Sequence, residues 1–203
     1  MTKYTLSSSG KSSFDPFSAY STDLNLTVHS SGMLSPKEPE MRVDILENNS
    51  AIATLRLCLI TESSELRDCA TRDDMVKQEL DILPGTDIRM VSCSPFELRC
   101  DKKPPVSFVG GNIRSQDSSY PLATFSQTKS GIFKKSTGTA DLTIYNMSAV
   151  APAVCFILII ASKAYQACVW NKNLDDLAKQ HDLTQYDRAQ GMIFSSAGAA
   201  GAV

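Results

Sequence analysis

The sequence is poor in the residues that most catalytic and metal sites use. It has two histidines, His29 and His181, and its six cysteines include no C-x-x-C pair. Zinc sites commonly separate paired cysteines by roughly two to four residues, which this spacing does not provide. A nucleophilic Ser or Cys needs a neighbouring base, and no G-x-S-x-G turn is present. The sequence therefore predicts a protein that is not an enzyme and that holds no metal or cofactor.

The chain has no excess of either charge, with 20 Lys and Arg against 22 Asp and Glu and a net charge of −2. It therefore lacks the overall electrostatic footprint of a protein that binds nucleic acid or anionic lipid. A glycine-rich phosphate loop is also missing, since Gly110-Gly111 lacks a third glycine and a following Lys-Ser or Lys-Thr, and this pair predicts a turn.

Local basic clusters are the remaining candidates for contact with phosphates. They are Arg99 with Lys102 and Lys103, and Lys129 with Lys134 and Lys135. One interpretation is that both are solvated loops. The alternative is that the turn of residues 129–135 contacts phosphates of nucleic acid or of lipid, since a few clustered cations suffice for a weak, salt-sensitive contact.

No signal segment opens the sequence, because the N-terminal Met1-Thr2-Lys3-Tyr4 leads into serines. We therefore expect reduced thiols rather than disulfides. The longest apolar run, residues 149–161, holds thirteen residues before Lys163 and Gln166 interrupt it. Spanning a bilayer takes about 20 apolar residues, so this run predicts a buried helix rather than a transmembrane one.

Composition predicts one folded domain with two loose ends. Residues 1–22 are rich in Ser, Lys and Gly and indicate a flexible N-terminal arm. Residues 195–203 are nearly all Ser, Ala and Gly and indicate a flexible C-terminal tail. The globular domain is then expected over residues 23–194.

Within that domain, apolar and polar residues alternate over residues 24–30 and 52–60, which predicts two strands. The segment 41–45 fits a strand and also one face of a helix, and both assignments stay open. From residue 88 to 143, short β-branched and aromatic runs between prolines and glycines indicate several further strands, of which residues 139–145 form the clearest.

Three helices are predicted. The first covers residues 71–83, with Asp73 and Asp74 in its first turn and Pro84-Gly85 after its end. The second is the apolar run, with Pro152 tolerated in its first turn. The third starts after Asn173 and carries Leu174, Leu177 and Ala178 on its inner face. Together these elements predict an α+β fold, a mainly antiparallel sheet with two to four helices packed on one side.

Two stretches carry a resemblance to a known family. Residues 24–30, LNLTVHS, resemble the opening strand of rhabdovirus matrix proteins of the vesicular stomatitis type. Residues 138–145, GTADLTIY, followed by Ala151-Pro152 and an apolar helix, are similar to a strand and helix in their second half. The chain departs from that family in lacking a lysine-rich N-terminal run and a Pro-Pro-x-Tyr motif.

The resemblance implies a viral structural protein that self-associates, contacts the nucleocapsid and docks under an anionic membrane surface, in the host cytoplasm and the virion. Its contact residues would be sought among Lys102, Lys103, Lys129, Lys134 and Lys135. One alternative is a single-stranded nucleic-acid-binding or movement-type viral protein that uses the turn of residues 129–135. A further alternative is a small enzyme with Cys93 or Cys100 beside His29.

Overall fold

The computed structural model describes residues 1–9, 14–69, 73–82, 88–93, 96–100, 104–127, 138–146, 150–169 and 171–180. The strands are β1 (Thr2–Ser8), β2 (Ala19–Ser21), β3 (Leu26–Ser30), β4 (Glu40–Glu47), β5 (Ser50–Leu59), β6 (Val76–Ile82), β7 (Ile88–Cys93), β8 (Phe96–Cys100), β9 (Val106–Val109), β10 (Asn112–Ser115), β11 (Ala123–Gln127) and β12 (Thr139–Ile144). The α-helices are α1 (Ser63–Leu66), α2 (Pro152–Val169) and α3 (Lys172–Gln180).

The strands form one twelve-stranded sheet in the order β6-β5-β4-β3-β2-β1-β12-β11-β10-β9-β8-β7. Neighbouring strands whose register is described run antiparallel, as β1 does against both β12 and β2. The chain therefore builds two consecutive meanders, and the first strand of one pairs with the last strand of the other. Since the described part of the chain has only three α-helices, of 4, 18 and 9 residues, the protein is mainly β, and the α+β prediction with helices packed on one side of a sheet is wrong.

A strand replaces most of the predicted helix over residues 71–83. Asp73–Met75 form a 3-10 turn, and Val76–Ile82 then run extended as β6. Exposed Lys77, Glu79 and Asp81 alternate with less exposed residues along this strand. That period of two is the strand pattern, whereas the helix prediction depended on acidic residues in a first turn and on Pro84-Gly85, signals that a strand end shares.

The expected flexible arm contains a strand of the sheet. β1 pairs on one side with β12, from Thr2 opposite Ile144 to Ser7 opposite Thr139, and on its other side with β2. Leu6 is fully buried in this position. The Ser-rich composition suggested disorder, but pairing of six residues with β12, and of Ser7 and Ser8 with β2, supplies backbone hydrogen bonds without requiring many apolar side chains. The predicted tail, residues 195–203, lies outside the described residues.

The helix predictions near the C-terminus are confirmed. α2 begins at Pro152, and its residues 154–162 are all buried, as expected of a helix that is apolar on every side. No helix in the described part of the chain combines the length and apolarity needed to cross a membrane. α3 buries Leu174 and Ala178 and leaves Leu177 half-buried.

Strand predictions made from alternation are confirmed as well. β3, β5 and β12 cover most of the segments 24–30, 52–60 and 139–145. The segment 41–45, which fitted either element, lies in β4 with Met41, Val43 and Ile45 buried.

Two tight turns connect consecutive strands through residues with positive φ. Asn48 (φ 50°) and Asn49 (φ 63°) join β4 to β5, and Gly110 (φ 58°) and Gly111 (φ 79°) join β9 to β10. Asparagine and glycine are the residues that two-residue hairpins of this kind require. The interpretation of Gly110-Gly111 as a turn is thus confirmed.

The chain divides into two compact units. The first comprises Met1–Ser31, Arg42–Leu55 and Leu80–Ala164, and the second comprises Gly32–Met41, Arg56–Glu79 and Tyr165–Val203. The first contains an aromatic cluster in which the ring of Phe125 lies 5.6 Å from Phe14 and 6.1 Å from Phe108. In the second, Asn171 Nδ2 donates a 2.8 Å hydrogen bond to the carbonyl oxygen of Leu34.

Candidate interaction surface

The two terminal strands of the sheet, β6 and β7, are its natural points of contact with another chain. A terminal strand presents a row of backbone N–H and C=O groups that can pair with a further strand. The side chains of β7 lie outside the described part of the structure, whereas those of β6 are described throughout. β6 is therefore the strand on which a candidate surface can be argued.

β6 presents two chemically different faces. Lys77, Glu79 and Asp81 are exposed on one face, which therefore carries one positive charge followed by two negative ones. On the other face Val76 is buried, while Gln78 and the apolar residues after it, Leu80 and Ile82, are only half-buried. Leu80 and Ile82 therefore retain apolar area that a partner could remove from water.

Gln78 carries an unfulfilled hydrogen-bonding requirement. Its Oε1 atom is buried, and among the described residues it has no hydrogen-bond partner. Leaving a buried acceptor unsatisfied costs about 1–3 kcal/mol, so native proteins rarely do it without a reason. An amide donor from a partner would remove that cost only if the Gln78 side chain turned out of its buried position.

On the charged face of β6, Lys77 is only lightly engaged within the chain. Lys77 Nζ lies 3.0 Å from Glu65 Oε2, and the two side chains are 64% and 49% exposed. An exposed ion pair of this kind contributes little, typically under about 1 kcal/mol, and exchanges partners easily. Lys77 can therefore accept a different carboxylate at small cost.

Two thiols of the second unit, Cys58 and Cys69, have raised pKa values. Burial raises the pKa of Cys58 above its ordinary value of 9.0, and the negative charges of Glu40 and Glu79 raise it further. Burial, reinforced by Asp74, likewise raises the pKa of Cys69. With raised pKa values both thiols are protonated at neutral pH, and the thiolate is the reactive form.

A second polar cluster lies on β3, β4 and β5 around Asp44. Arg42 Nε is 2.9 Å from both carboxylate oxygens, and Thr54 Oγ1 donates a 2.6 Å hydrogen bond to Oδ1. His29 stands opposite Asp44 in the β3–β4 register. Burial raises the pKa of Asp44, but the Thr54 and Arg42 hydrogen bonds and the charges of Arg42 and His29 outweigh it and hold the pKa below 3.8. The carboxylate is thus ionised and committed to these partners.

Aromatic side chains are exposed elsewhere on the first unit. Tyr120 and Tyr145 are 79% and 48% exposed, and the Tyr145 hydroxyl lies 3.3 Å from Thr124 Oγ1. Tyr120 stands in a turn held by its own backbone N–H, which donates to Ser118 Oγ at 3.3 Å. Neither tyrosine has a charged group in hydrogen-bond contact among the interactions described.

The structure tests few of the predicted contact residues. Lys102, Lys103, Lys129, Lys134 and Lys135 all lie outside the described residues, as does His181. Arg99 and His29 are described and exposed. The enzyme alternative required Cys93 or Cys100 beside His29, and the side chains of both cysteines are outside the described part. Over the residues that are described, no group of three His, Cys, Asp or Glu side chains could hold a metal ion.

Sequence reasoning missed β6 as a surface because it assigned the segment to a helix. The alternation in Val-Lys-Gln-Glu-Leu-Asp-Ile was the available signal. Comparison with other proteins adds no assignment, since no protein-family model, no curated protein and no solved structure matches this chain.

Proposed function

We propose that this protein is a non-enzymatic structural protein that self-associates, of the kind a virus uses for assembly. The observation that supports this function most is β6, a terminal strand of the sheet that combines charges of both signs, half-buried apolar residues and an unsatisfied amide oxygen. Strand addition at a sheet edge is a recurring mode of association, in which main-chain hydrogen bonds supply affinity and alternate side chains supply specificity.

In the matrix-like form of this proposal, the assembled protein contacts a viral nucleocapsid and an anionic membrane surface, and it resides in the host cytoplasm and in the virion. The resemblance of residues 24–30 and 138–145 to rhabdovirus matrix proteins supports this finer assignment. Lys102, Lys103, Lys129, Lys134 and Lys135 are the residues proposed to meet phosphates of lipid or RNA.

Sedimentation velocity of the full chain over a hundredfold concentration range tests self-association. We expect the sedimentation coefficient to rise with concentration at low and at physiological salt. A monomer at all concentrations would overturn the proposal. Flotation with anionic vesicles and titration with single-stranded RNA, each with and without Lys→Ala changes at positions 129, 134 and 135, then separate the lipid contact from the nucleic-acid one.

A further inference from the structure

We infer that β6 pairs with β6 of a second copy of this chain, antiparallel and about a two-fold axis at Gln78. This inference rests on the proposed self-association and specifies its interface. A two-fold dimer uses the same patch on both copies, so the patch must be complementary to itself. The register centred on Gln78 meets that requirement without placing like charges opposite each other.

Three registers pair at least five residues of a seven-residue strand with its own copy while keeping matching faces together, and they are centred on Gln78, Glu79 or Leu80. Centring on Glu79 places that carboxylate opposite its own copy. Centring on Leu80 places Glu79 opposite Asp81 twice. Like charges directly opposite each other destabilise a strand pair, so both registers carry a penalty.

The register centred on Gln78 has no such conflict. It places Lys77 opposite the partner's Glu79 and, by symmetry, Glu79 opposite the partner's Lys77. Both residues are on the exposed face of β6, where they can form two cross-strand ion pairs. The weak contact of Lys77 with Glu65 does not prevent this exchange.

The other face of β6 gains more from the same register. Val76, which is buried, stands opposite the partner's Leu80, whose half-buried side chain the partner strand would cover further. Gln78 stands opposite the partner's Gln78. An amide offers both an oxygen acceptor and N–H donors, so two facing glutamines can bond reciprocally once each side chain turns its Oε1 out of the buried position. The registers centred on Glu79 and Leu80 place Gln78 opposite Leu80 or Ile82 and leave that oxygen unsatisfied.

A charge-exchange experiment tests this register. Lys77→Glu and Glu79→Lys each turn two attractive pairs into two repulsive ones, so we expect each variant alone to raise the dimer dissociation constant about tenfold or more. In an equimolar mixture, the glutamate introduced at position 77 of one chain faces the lysine introduced at position 79 of the other. We therefore expect the mixture, and the double variant Lys77→Glu/Glu79→Lys, to recover association.

Two variants serve as matched controls. Glu65→Gln removes the present partner of Lys77 and is expected to leave association unchanged. Lys3→Glu removes an exposed ion pair elsewhere, in which Lys3 Nζ lies 2.9 Å from Asp141 Oδ2. These two residues lie on β1 and β12, which are central strands of the sheet. Circular dichroism of each variant checks that it folds, and recovery in the mixture cannot arise from two unfolded chains.

The outcomes separate the inference from the proposed function. If the unaltered chain stays monomeric, self-association itself is overturned, and this inference with it. If the chain associates but neither single variant weakens it, β6 is not the interface, although self-association stands. If both variants weaken association and the mixture does not recover, the register centred on Gln78 is wrong.

Discussion

Thr54 Oγ1 lies 2.6 Å from Oδ1 of Asp44, and this hydrogen bond links β5 to an ionised carboxylate on β4. Thr54 is only 9% exposed, although it belongs to the polar set of β5. The hydroxyl satisfies one oxygen of a carboxylate whose other contacts come from the more exposed Arg42. The hydrogen bond between Thr54 and Asp44 therefore stabilises the pairing of β4 with β5.

Thr54→Val keeps the side-chain shape and removes this bond, so we expect the free energy of unfolding to fall by about 1–2 kcal/mol at pH 7. Asp44 has a lowered pKa in the folded chain, so its contribution is present above the ordinary value of 3.8 and is lost as the pH falls through the folded value. In urea unfolding, the difference in free energy of unfolding between variant and parent should be smaller near pH 3 than at pH 7. Thr143→Val on β12 is the matched control, and an equal loss at both pH values would contradict this account.

Leu6→Ala tests the position of β1 inside the sheet. Leu6 is fully buried, so removing its side chain is expected to lower the free energy of unfolding by about 2–5 kcal/mol. Met33→Ala, at a residue that is 62% exposed, should change it by no more than about 0.5 kcal/mol. Chemical denaturation of both variants gives the comparison. A flexible N-terminal arm would instead make the two effects equally small.

The adjacent glycines of the β9–β10 turn provide a matched pair of substitutions. Both have positive φ, but a Cβ added at Gly111 would lie 2.9 Å from the carbonyl oxygen of Phe125, whereas Gly110 has nothing within 4 Å. We expect Gly110→Ala to cost about 1 kcal/mol from backbone strain alone and Gly111→Ala to cost clearly more. Thermal unfolding of the two variants measures the difference in their stability. Equal unfolding midpoints would contradict the 2.9 Å approach of the Phe125 carbonyl oxygen to a Cβ at position 111.

Alkaline pH should destabilise the protein through its buried thiols. Burial raises the pKa of Cys69, whose Sγ lies 3.5 Å from the carbonyl oxygen of Asp74. The unfolded chain then loses this proton at lower pH than the folded chain does, so stability falls as the pH rises above about 9. Cys69→Ala should flatten that slope between pH 8 and 10 in urea titrations. All other titratable groups are common to the two proteins, so the difference between their slopes of stability against pH reports on Cys69. An unchanged slope would contradict a contribution from this thiol.

The local sequence pattern was sufficient to predict elements whose apolar residues can be recognised within a short window. The alternation of residues 52–60 predicted β5, and the uninterrupted apolar run beginning near Pro152 predicted α2. β5 shows the two-residue alternation of a strand, whereas α2 is recognised by an apolar run too long for a strand and is buried on every side. Such segments need no knowledge of the rest of the molecule.

Sequence reasoning was wrong where an element depends on a distant partner. β1 has few apolar residues, and its stability comes from pairing with β12, which no local window contains. β6 shares its acidic start and its Pro-Gly exit with many helices, and those end signals were given more weight than its alternation of exposed and less exposed residues. The candidate surface on β6 was unpredictable because a sheet edge exists only once the strand order is known.

The pairing of β1 with β12 also constrains how the chain is made. Ser8 Oγ donates to the carbonyl oxygen of Gly138, a contact between residues 130 positions apart. At about 5–20 residues per second, a ribosome delivers that partner roughly 7–26 seconds after β1 has emerged. During this interval β1 has one edge without its final neighbour. Contacts so distant in sequence also slow folding, so that edge of β1 stays open to pairing with other chains until the second meander has been made and has docked.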